Sequence, residues 1–394
     1  MNDLLNEADA LLPAAIELRR TIHQFPEQGL QLPRTQRVVL DSIAPLGLDV
    51  RAGTSLSSVV ADLHGATSGK SVLIRGDMDA LPMPEDTGLE FASEVAGSMH
   101  ACGHDAHTAM LAGAAHLLHA RRDGLAGMVR FMFQPGEEGH FGARVMMEEG
   151  VLVEPTIDAV FGLHVTPNIP AGMIATRGGP IMAAADVLRI TVTGMGGHAS
   201  SPYLGNDPMP IAAEIITALQ VFVTRRISTF DPVVISITNV HGGTTNNVIP
   251  ETVYLEGTLR SVSESSRRKA REGIQRIATN IAAAHEMGAE VRIDEGYPVV
   301  VNDHAQAQFA LDVARRLVGE ASAIEMPSPV MGAEDFSYLL NERPGAFIYL
   351  GVCPPGEKPG TAHGCHSNRM TIDENAMRVG IAYYAALALS FLNS

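Results

Sequence analysis

The chain has 394 residues, 46% of them hydrophobic, with 28 Lys and Arg against 44 Asp and Glu for a formal net charge of −16. That length and apolar content can bury more than one compact core, so two domains are expected. The acidic balance repels phosphate backbones and anionic lipid headgroups, which argues against nucleic acid and membrane partners.

The N-terminal Met1-Asn-Asp-Leu-Leu-Asn-Glu is acidic where a secretory leader is basic, and no leader-like apolar run follows it. A cytoplasmic location is therefore expected. Leu4, Leu5, Ala8, Leu11, Leu12, Ala15, Ile16 and Leu18 recur at helical spacing and predict an amphipathic opening helix. Ser58–Leu63, Ser71–Arg75, Met128–Phe133 and Ala159–Leu163 are near-continuously apolar, and helical stretches such as His107–Arg122 separate them. This alternation predicts an α/β domain with a largely parallel sheet. From about Asp186 the texture changes: Val187–Thr193, Val233–Thr238 and Val253–Leu259 alternate apolar with polar, as half-exposed antiparallel strands do. With Glu290–Asp294 and helical segments at Pro208–Thr229 and Glu264–Glu286, they predict an α+β unit in the order βαββαβ. After Tyr297-Pro298 the α/β pattern resumes through Ala346–Leu350 to a terminal helix at Val379–Leu392, too short to span a bilayer. The expected organisation is one α/β domain from residues 1–184 and 299–394, interrupted by an inserted domain at residues 185–298.

Two phosphate-loop look-alikes fail on context. Gly65-Ala-Thr-Ser-Gly-Lys-Ser71 is one residue short between its glycines and precedes a strand, and Gly194-Met-Gly-Gly-His-Ala199 opens no helix. The G-x-S-x-G elbow, H-E-x-x-H and P-C-x-x-C signatures do not occur. What remains is a dispersed set of potential ligands at predicted strand ends, where open α/β sheets build sites. Asp77 and Asp79, in Arg75-Gly-Asp-Met-Asp-Ala-Leu-Pro82, suit a turn or helix cap as well as a site. His100, Cys102, His104, Asp105 and His107 crowd into one short stretch before a helix. A thiolate and an imidazole separated by one glycine can turn toward one cation, with Asp105 capping the helix or holding an imidazole, and His100 and His107 serving as satisfied polar groups. Glu137 and Glu138 follow an apolar strand in a Gly-bracketed loop; adjacent carboxylates cannot easily aim at one point, so one suits a metal and its neighbour the attacking water. His164 and His366 add imidazoles. The inventory is enough for two cations with one carboxylate left as a base, which is what two-metal hydrolysis requires. The three cysteines, Cys102, Cys353 and Cys365, make no disulfide framework in a chain this long and suit a reducing compartment.

Arg75–Pro82, Met99-His-Ala-Cys-Gly-His-Asp-Ala-His-Thr108, Phe133-Gln-Pro-Gly-Glu-Glu-Gly139, Gly162-Leu-His164, Gly196-Gly-His-Ala-Ser200, Gly242-Gly-Thr-Thr-Asn-Asn-Val-Ile-Pro250 and Glu334-Asp-Phe-Ser337 together resemble the aminoacylase-like metallopeptidase family. Within it the set is similar to hippurate hydrolases, bacterial N-acyl amino acid amidohydrolases and plant indoleacetyl-amino acid hydrolases. The resemblance runs from about Leu18 to the C-terminus. It implies an α/β metallopeptidase-type catalytic domain with an inserted ferredoxin-like α+β lid and dimerisation domain. It further implies two divalent ions, zinc or manganese with cobalt or nickel as alternatives, held by Cys102, His104, Glu138, His164 and His366. Glu137 would be the general base, Asp79 would orient a ligand or tune the nucleophilic water, and His198 would face the developing oxyanion. Asn247 and Arg260 would meet the substrate carboxylate. The implied substrate is a small N-acyl amino acid, and the implied assembly a homodimer or homotetramer through the inserted domain. A dipeptidase or carboxypeptidase using the same binuclear site, or an inactive metal-dependent binding protein, stands as the alternative. The chain departs from the family pattern at Phe25, where His is usual, at Asn368, where Pro is usual, and at Met370, where Phe is usual; Cys365 beside His366 is a rival ligand.

Overall fold

The structure, a computed structural model, describes residues 2–394. The chain divides into two compact units, the first made of Met1–Gly179, Val301–Ser328 and Asp335–Ser394, the second of Pro180–Val300 and Pro329–Glu334. Residues 329–334, expected in the larger unit, fall in the smaller one. They belong there because Ala183 N donates to Val330 O (3.1 Å) and Gly332 O (2.8 Å), and Val330 N donates to Ile181 O (2.9 Å).

The first unit is built on an eight-stranded sheet in the order Asp49–Ala52, Val59–His64, Ala126–Gln134, Thr67–Asp77, Ala159–Thr166, Gly345–Gly351, Ile174–Thr176, Ala323–Glu325. The four central strands are mutually parallel, as their apolar runs predict, because burial on both faces leaves no polar alternation to read. The sheet is nevertheless mixed: Val59–His64 runs antiparallel to Ala126–Gln134, and Asp49–Ala52 antiparallel to Val59–His64. Register sets Asp77 beside Gln134, Arg75 beside Gly162, and Thr166 beside Gly351, so the C-terminal ends of the central strands share one edge. That edge is where open α/β sheets present ligand-binding loops.

Helices Asn2–Gln24, His104–His119 and Met377–Leu392 pack together on the sheet around Ala109, Leu111, Leu118, Ile381 and Leu387, all fully or almost fully buried. The terminal helix with its preceding turn, Glu374–Leu392, is 19 residues long and apolar enough to cross a membrane by length and composition. Its most apolar stretch is 78% buried inside the protein, so its apolar character serves the core. The His104–His119 helix begins three residues before the expected start, which puts His104 in its first turn.

The second unit has the predicted βαββαβ order: Ala184–Thr193, helix Pro208–Arg226, Val233–His241, Thr252–Ser261, helix Glu264–Ala284 and Gly288–Glu295. Its antiparallel sheet is ordered Val233–His241, Thr252–Ser261, Ala184–Thr193, Gly288–Glu295, the ferredoxin-like arrangement. Each strand buries one face against the two helices, with Leu188, Ile190, Val253, Leu255, Ile215 and Ile274 in the core. Asp207 and Ser263 cap the helices through their side-chain oxygens, each accepting from a first-turn N–H.

Candidate metal centre

The site is assembled at the C-terminal edge of the first unit's sheet. Gly103 is the local reason Cys102 and His104 face one point: its φ is +83°, and a Cβ there would lie 2.3 Å from Val165 Cγ2. Only glycine both adopts that left-handed conformation freely and leaves room for Val165. His366 reaches the same place from the far end of the chain, in the left-handed region at φ +67°, with its N donating to Ala101 O at 2.6 Å. A non-glycine residue at positive φ is uncommon and costs on the order of 1 kcal/mol or more, so surrounding contacts must hold it there.

Two sets of three donors result. Cys102, His104 and His164 have ligand atoms within 4.8 Å of one another, as do Cys102, Glu138 and His366. The thiol of Cys102 is common to both. Cys102 Sγ lies 3.4 Å from His164 Nε2, and His366 Nε2 lies 3.2 Å from Glu138 Oε1. His164 Nδ1–H donates to Val165 O at 2.7 Å, which fixes the tautomer and leaves Nε2 as a lone-pair donor. Burial, with His107 beside it, holds that imidazole neutral by pushing its pKa well below the usual value.

His104 is fully buried, yet neither ring nitrogen has a hydrogen-bond partner, and buried Glu138 Oε1 has only its ion-pair contact with His366. Leaving buried polar atoms unpaired costs about 1–3 kcal/mol each. Asp79 Oδ1 lies 3.5 Å from His104 Nδ1 and Asp77 Oδ2 lies 3.6 Å from Nε2. Burial works against charge on His104, but attraction from Asp77, Asp79 and Glu138 outweighs it and lifts the imidazole to about 10. Cys102 is raised as well: its interaction with Cys365 and its burial push the thiol well above the usual range. Unpartnered donor atoms, an anionic surround and a thiol shared by two triads fit a pair of divalent cations, which would satisfy the orphaned atoms and deprotonate the thiol.

Asp79 has a role that the sequence left open. Its Oδ1 accepts Glu137 N–H and its Oδ2 accepts Glu138 N–H, each at 2.9 Å. One carboxylate thus fixes the main chain of both acidic residues. Glu137 is buried, with a carboxylate oxygen in a further donor group with His104 and Glu138.

Asp77 and His107 form a second layer. His107 Nδ1–H donates to Asp77 Oδ1 at 2.5 Å, and Val165 N–H donates to His107 Nε2 at 2.8 Å. His107 is therefore a satisfied, neutral group that holds the main chain next to His164. Asp77 in turn faces Arg75, whose Nη1 is 2.6 Å from Asp77 Oδ2 and whose Nε donates to Gln134 Oε1 at 2.8 Å. Asp105, read as a cap or an imidazole holder, holds His23: His23 Nδ1 is 2.8 Å and Arg19 Nε 2.9 Å from its Oδ2. Arg19 and His23 were not identified from sequence, and the only cue was His23 in His-Gln-Phe-Pro-Glu27. His100 corrects an expectation: it is buried with neither ring nitrogen hydrogen-bonded, and burial lowers it to about 4. The three family departures are accommodated. Arg34 stacks over the Phe25 ring, Met370 is buried 3.5 Å from the position of a Gly103 Cβ, and Asn368 O accepts Asp86 N–H.

His198, Asn247 and Arg260 lie in the second unit. His198 is exposed on a two-residue strand paired to Val248-Ile249, and Ser200 N–H donates to its Nδ1 at 3.1 Å. That bond leaves Nε2 carrying the proton of the neutral ring. Asn247 is exposed beside it, its carbonyl accepting Ala199 N–H at 3.0 Å. Arg260 does not join them. It pairs with Ala185 at the opposite end of its strand from Thr252, eight residues and roughly 26 Å away at a strand rise of about 3.3 Å per residue.

Comparison with known proteins places these features among relatives. The model for peptidase family M20/M25/M40 matches residues 73–390. Thermostable carboxypeptidase 1 of Saccharolobus solfataricus is 39% identical over 394 residues, covering 99% of this chain and 98% of that protein. N-acetyl-L-cysteine deacetylase of Bacillus subtilis is 37% identical, covering 92% of this chain and 84% of that protein. Among solved structures, the Bacillus subtilis YXEP protein, a dinuclear metal binding peptidase, superposes with a TM-score of 0.84 at 35% identity, covering 98% of this chain and 99% of that one.

Proposed function

The chain belongs to peptidase family M20/M25/M40, a metal-dependent hydrolase of amide bonds, and from that premise we propose that it hydrolyses N-acyl amino acids to a carboxylic acid and a free amino acid. The observation that carries the reading is the convergence of two donor triads on Cys102 with the backbone-clamped Glu137 beside them. The N-acetyl-L-cysteine deacetylase among its relatives supports the acyl amino acid class.

Cys102, His104 and His164 would hold one cation and Cys102, Glu138 and His366 the other. Zinc suits the thiolate and imidazole share, while the carboxylate leaves manganese, cobalt and nickel open. When bound, such a pair polarises the scissile carbonyl and lowers the pKa of a water. Glu137 accepts the proton of the attacking water and returns it to the leaving nitrogen. Asp79 keeps that carboxylate in place through the main chain. His198, with its Nε2–H free, donates to the developing oxyanion, and Asn247 and Arg260 bind the substrate carboxylate. The separation of Arg260 from His198 within one unit favours a homodimer or homotetramer in which the two act from different copies. The three free cysteines suit the cytoplasm.

A second reading, a carboxypeptidase or dipeptidase on the same site, is favoured by the carboxypeptidase relative. Free amino acid release from N-acetyl, N-benzoyl, indoleacetyl and long-chain acyl amino acids, beside a set of dipeptides, separates the two. Release from the acyl compounds by metal-loaded protein, lost on chelation, supports the first; release from dipeptides alone refutes it.

A further inference from the structure

We infer that Cys102 and Cys365 constitute an intramolecular disulfide site, an oxidative modification that takes the shared donor thiol out of the metal centre. The consequence for metal rests on the reading of Cys102 as a ligand.

The 2.6 Å hydrogen bond from His366 N to Ala101 O brings two distant segments into backbone contact. Cys102 follows the acceptor residue and Cys365 precedes the donor residue, so both thiols sit one residue from that contact. Both are also held against the same strand end: Cys102 Sγ is 3.4 Å from His164 Nε2, and Cys365 Sγ is 3.8 Å from Val165 O. A disulfide needs Cα atoms about 4.4–6.8 Å apart with the sulfurs facing, and two residues that flank one backbone hydrogen bond, with both thiols against the same strand end, are placed to form one. Cys365 is a member of neither donor triad, so the proposed metal centre leaves its chemistry unused. Cys353, the remaining cysteine, is buried in another loop, its N donating to Ile169 O.

With hydrogen peroxide as oxidant the step balances. One thiolate attacks a peroxide oxygen, the O–O bond breaks, hydroxide leaves and a sulfenic acid forms. The second thiolate attacks that sulfur, the S–O bond breaks as hydroxide leaves, and the S–S bond forms. Two electrons from the sulfur pair reduce one peroxide, and the two thiol protons end in two waters. A cation on Cys102 engages the lone pairs this attack needs, so the metal-loaded protein resists it.

The test uses the full chain, metal-loaded and chelator-stripped, exposed to peroxide. Free thiols are counted, the non-reduced digest is mapped by mass spectrometry, and zinc uptake is measured. The stripped protein is expected to lose two of its three thiols, to yield the Cys102–Cys365 cross-linked peptide and to stop taking up zinc, with dithiothreitol restoring both. The loaded protein keeps its thiols through the same exposure. Cys365→Ser is expected to bind zinc before peroxide and to give no intramolecular bridge after it. Survival of all three thiols in the stripped protein, or a bridge through Cys353, overturns the proposal. A Cys102–Cys365 bridge that leaves zinc uptake unchanged supports the modification site and overturns Cys102 as a ligand.

Discussion

Asp79→Asn isolates the clamp on the two glutamates. The wild-type carboxylate accepts Glu137 N–H on one oxygen and Glu138 N–H on the other, both at 2.9 Å. The amide keeps the shape but turns one acceptor into an NH₂ donor that faces a backbone donor. One charge-assisted hydrogen bond of about 1.5–3 kcal/mol is lost, and a buried N–H is left opposed. The loop can relieve that opposition only by shifting residues 135–140, which carry Glu137 and Glu138. A displacement of about 1 Å at a reacting group costs on the order of 10²-fold in rate, so kcat is expected to fall by about that factor. Metal binding is expected to split: Glu138 belongs to only one of the two triads, so that ion weakens while the Cys102, His104 and His164 ion is retained. Amino acid release at saturating metal gives the rate, and metal content after dialysis against a graded chelator gives the split. A variant that holds both ions as tightly as wild type and turns over within about threefold of it would refute the clamp.

Glu137→Gln removes the proton acceptor without changing shape; turnover is expected to drop about 10²–10⁴-fold with metal content unchanged, read by kinetics beside metal analysis. Gly103→Ala forces a Cβ into the left-handed region and to 2.3 Å from Val165 Cγ2. It should destabilise by about 2–4 kcal/mol in denaturant unfolding, and adding Val165→Ala should recover the overlap component but not the backbone cost. Burial opposes charge on His23, but Asp105 and Glu85 hold it up to about 9, above its unfolded value. Its contribution, up to about 3 kcal/mol, is therefore full below about pH 6.5 and lost as pH rises through about 9. Urea midpoints of wild type and His23→Gln should differ most at pH 6 and converge by pH 10; a constant gap across that range would count against a charged His23. Removing metal should abolish turnover and lower the unfolding temperature, which should fall with the logarithm of free metal, measured by calorimetry across a graded chelator series.

Much of this protein was readable from its residues alone. The switch near Asp186 from continuous apolar runs to strict alternation distinguishes a sheet covered on both faces from one covered on a single face, and periodicity records burial directly. The βαββαβ order of the second unit follows from the same signal. Scarce residue types also declared themselves, because a thiol, imidazoles and paired carboxylates at predicted strand ends have few structural uses in common. Periodicity was silent on short strands such as Ile174–Thr176 and on the assignment of Pro329–Glu334 to the second unit, since three residues carry no period and hydrogen-bond partners are not written locally.

The sequence could name candidate donors but could not group them. Cys102 and His366 are brought together by a bond from His366 N to Ala101 O, and only the folded chain makes positions that far apart neighbours. Glu137 and Glu138 are equivalent as residue types, and what separates them is that Asp79 fixes both main-chain amides while Glu138 alone meets His366. His107 and His164 are likewise the same side chain, yet Asp77 and Val165 occupy both nitrogens of the first while Val165 O takes only one nitrogen of the second. Whether an imidazole is a ligand or a strut depends on which of its nitrogens is already bonded, and that is settled by tertiary contact, because hydrogen-bond geometry extends only about 3 Å and no spacing along a chain encodes it.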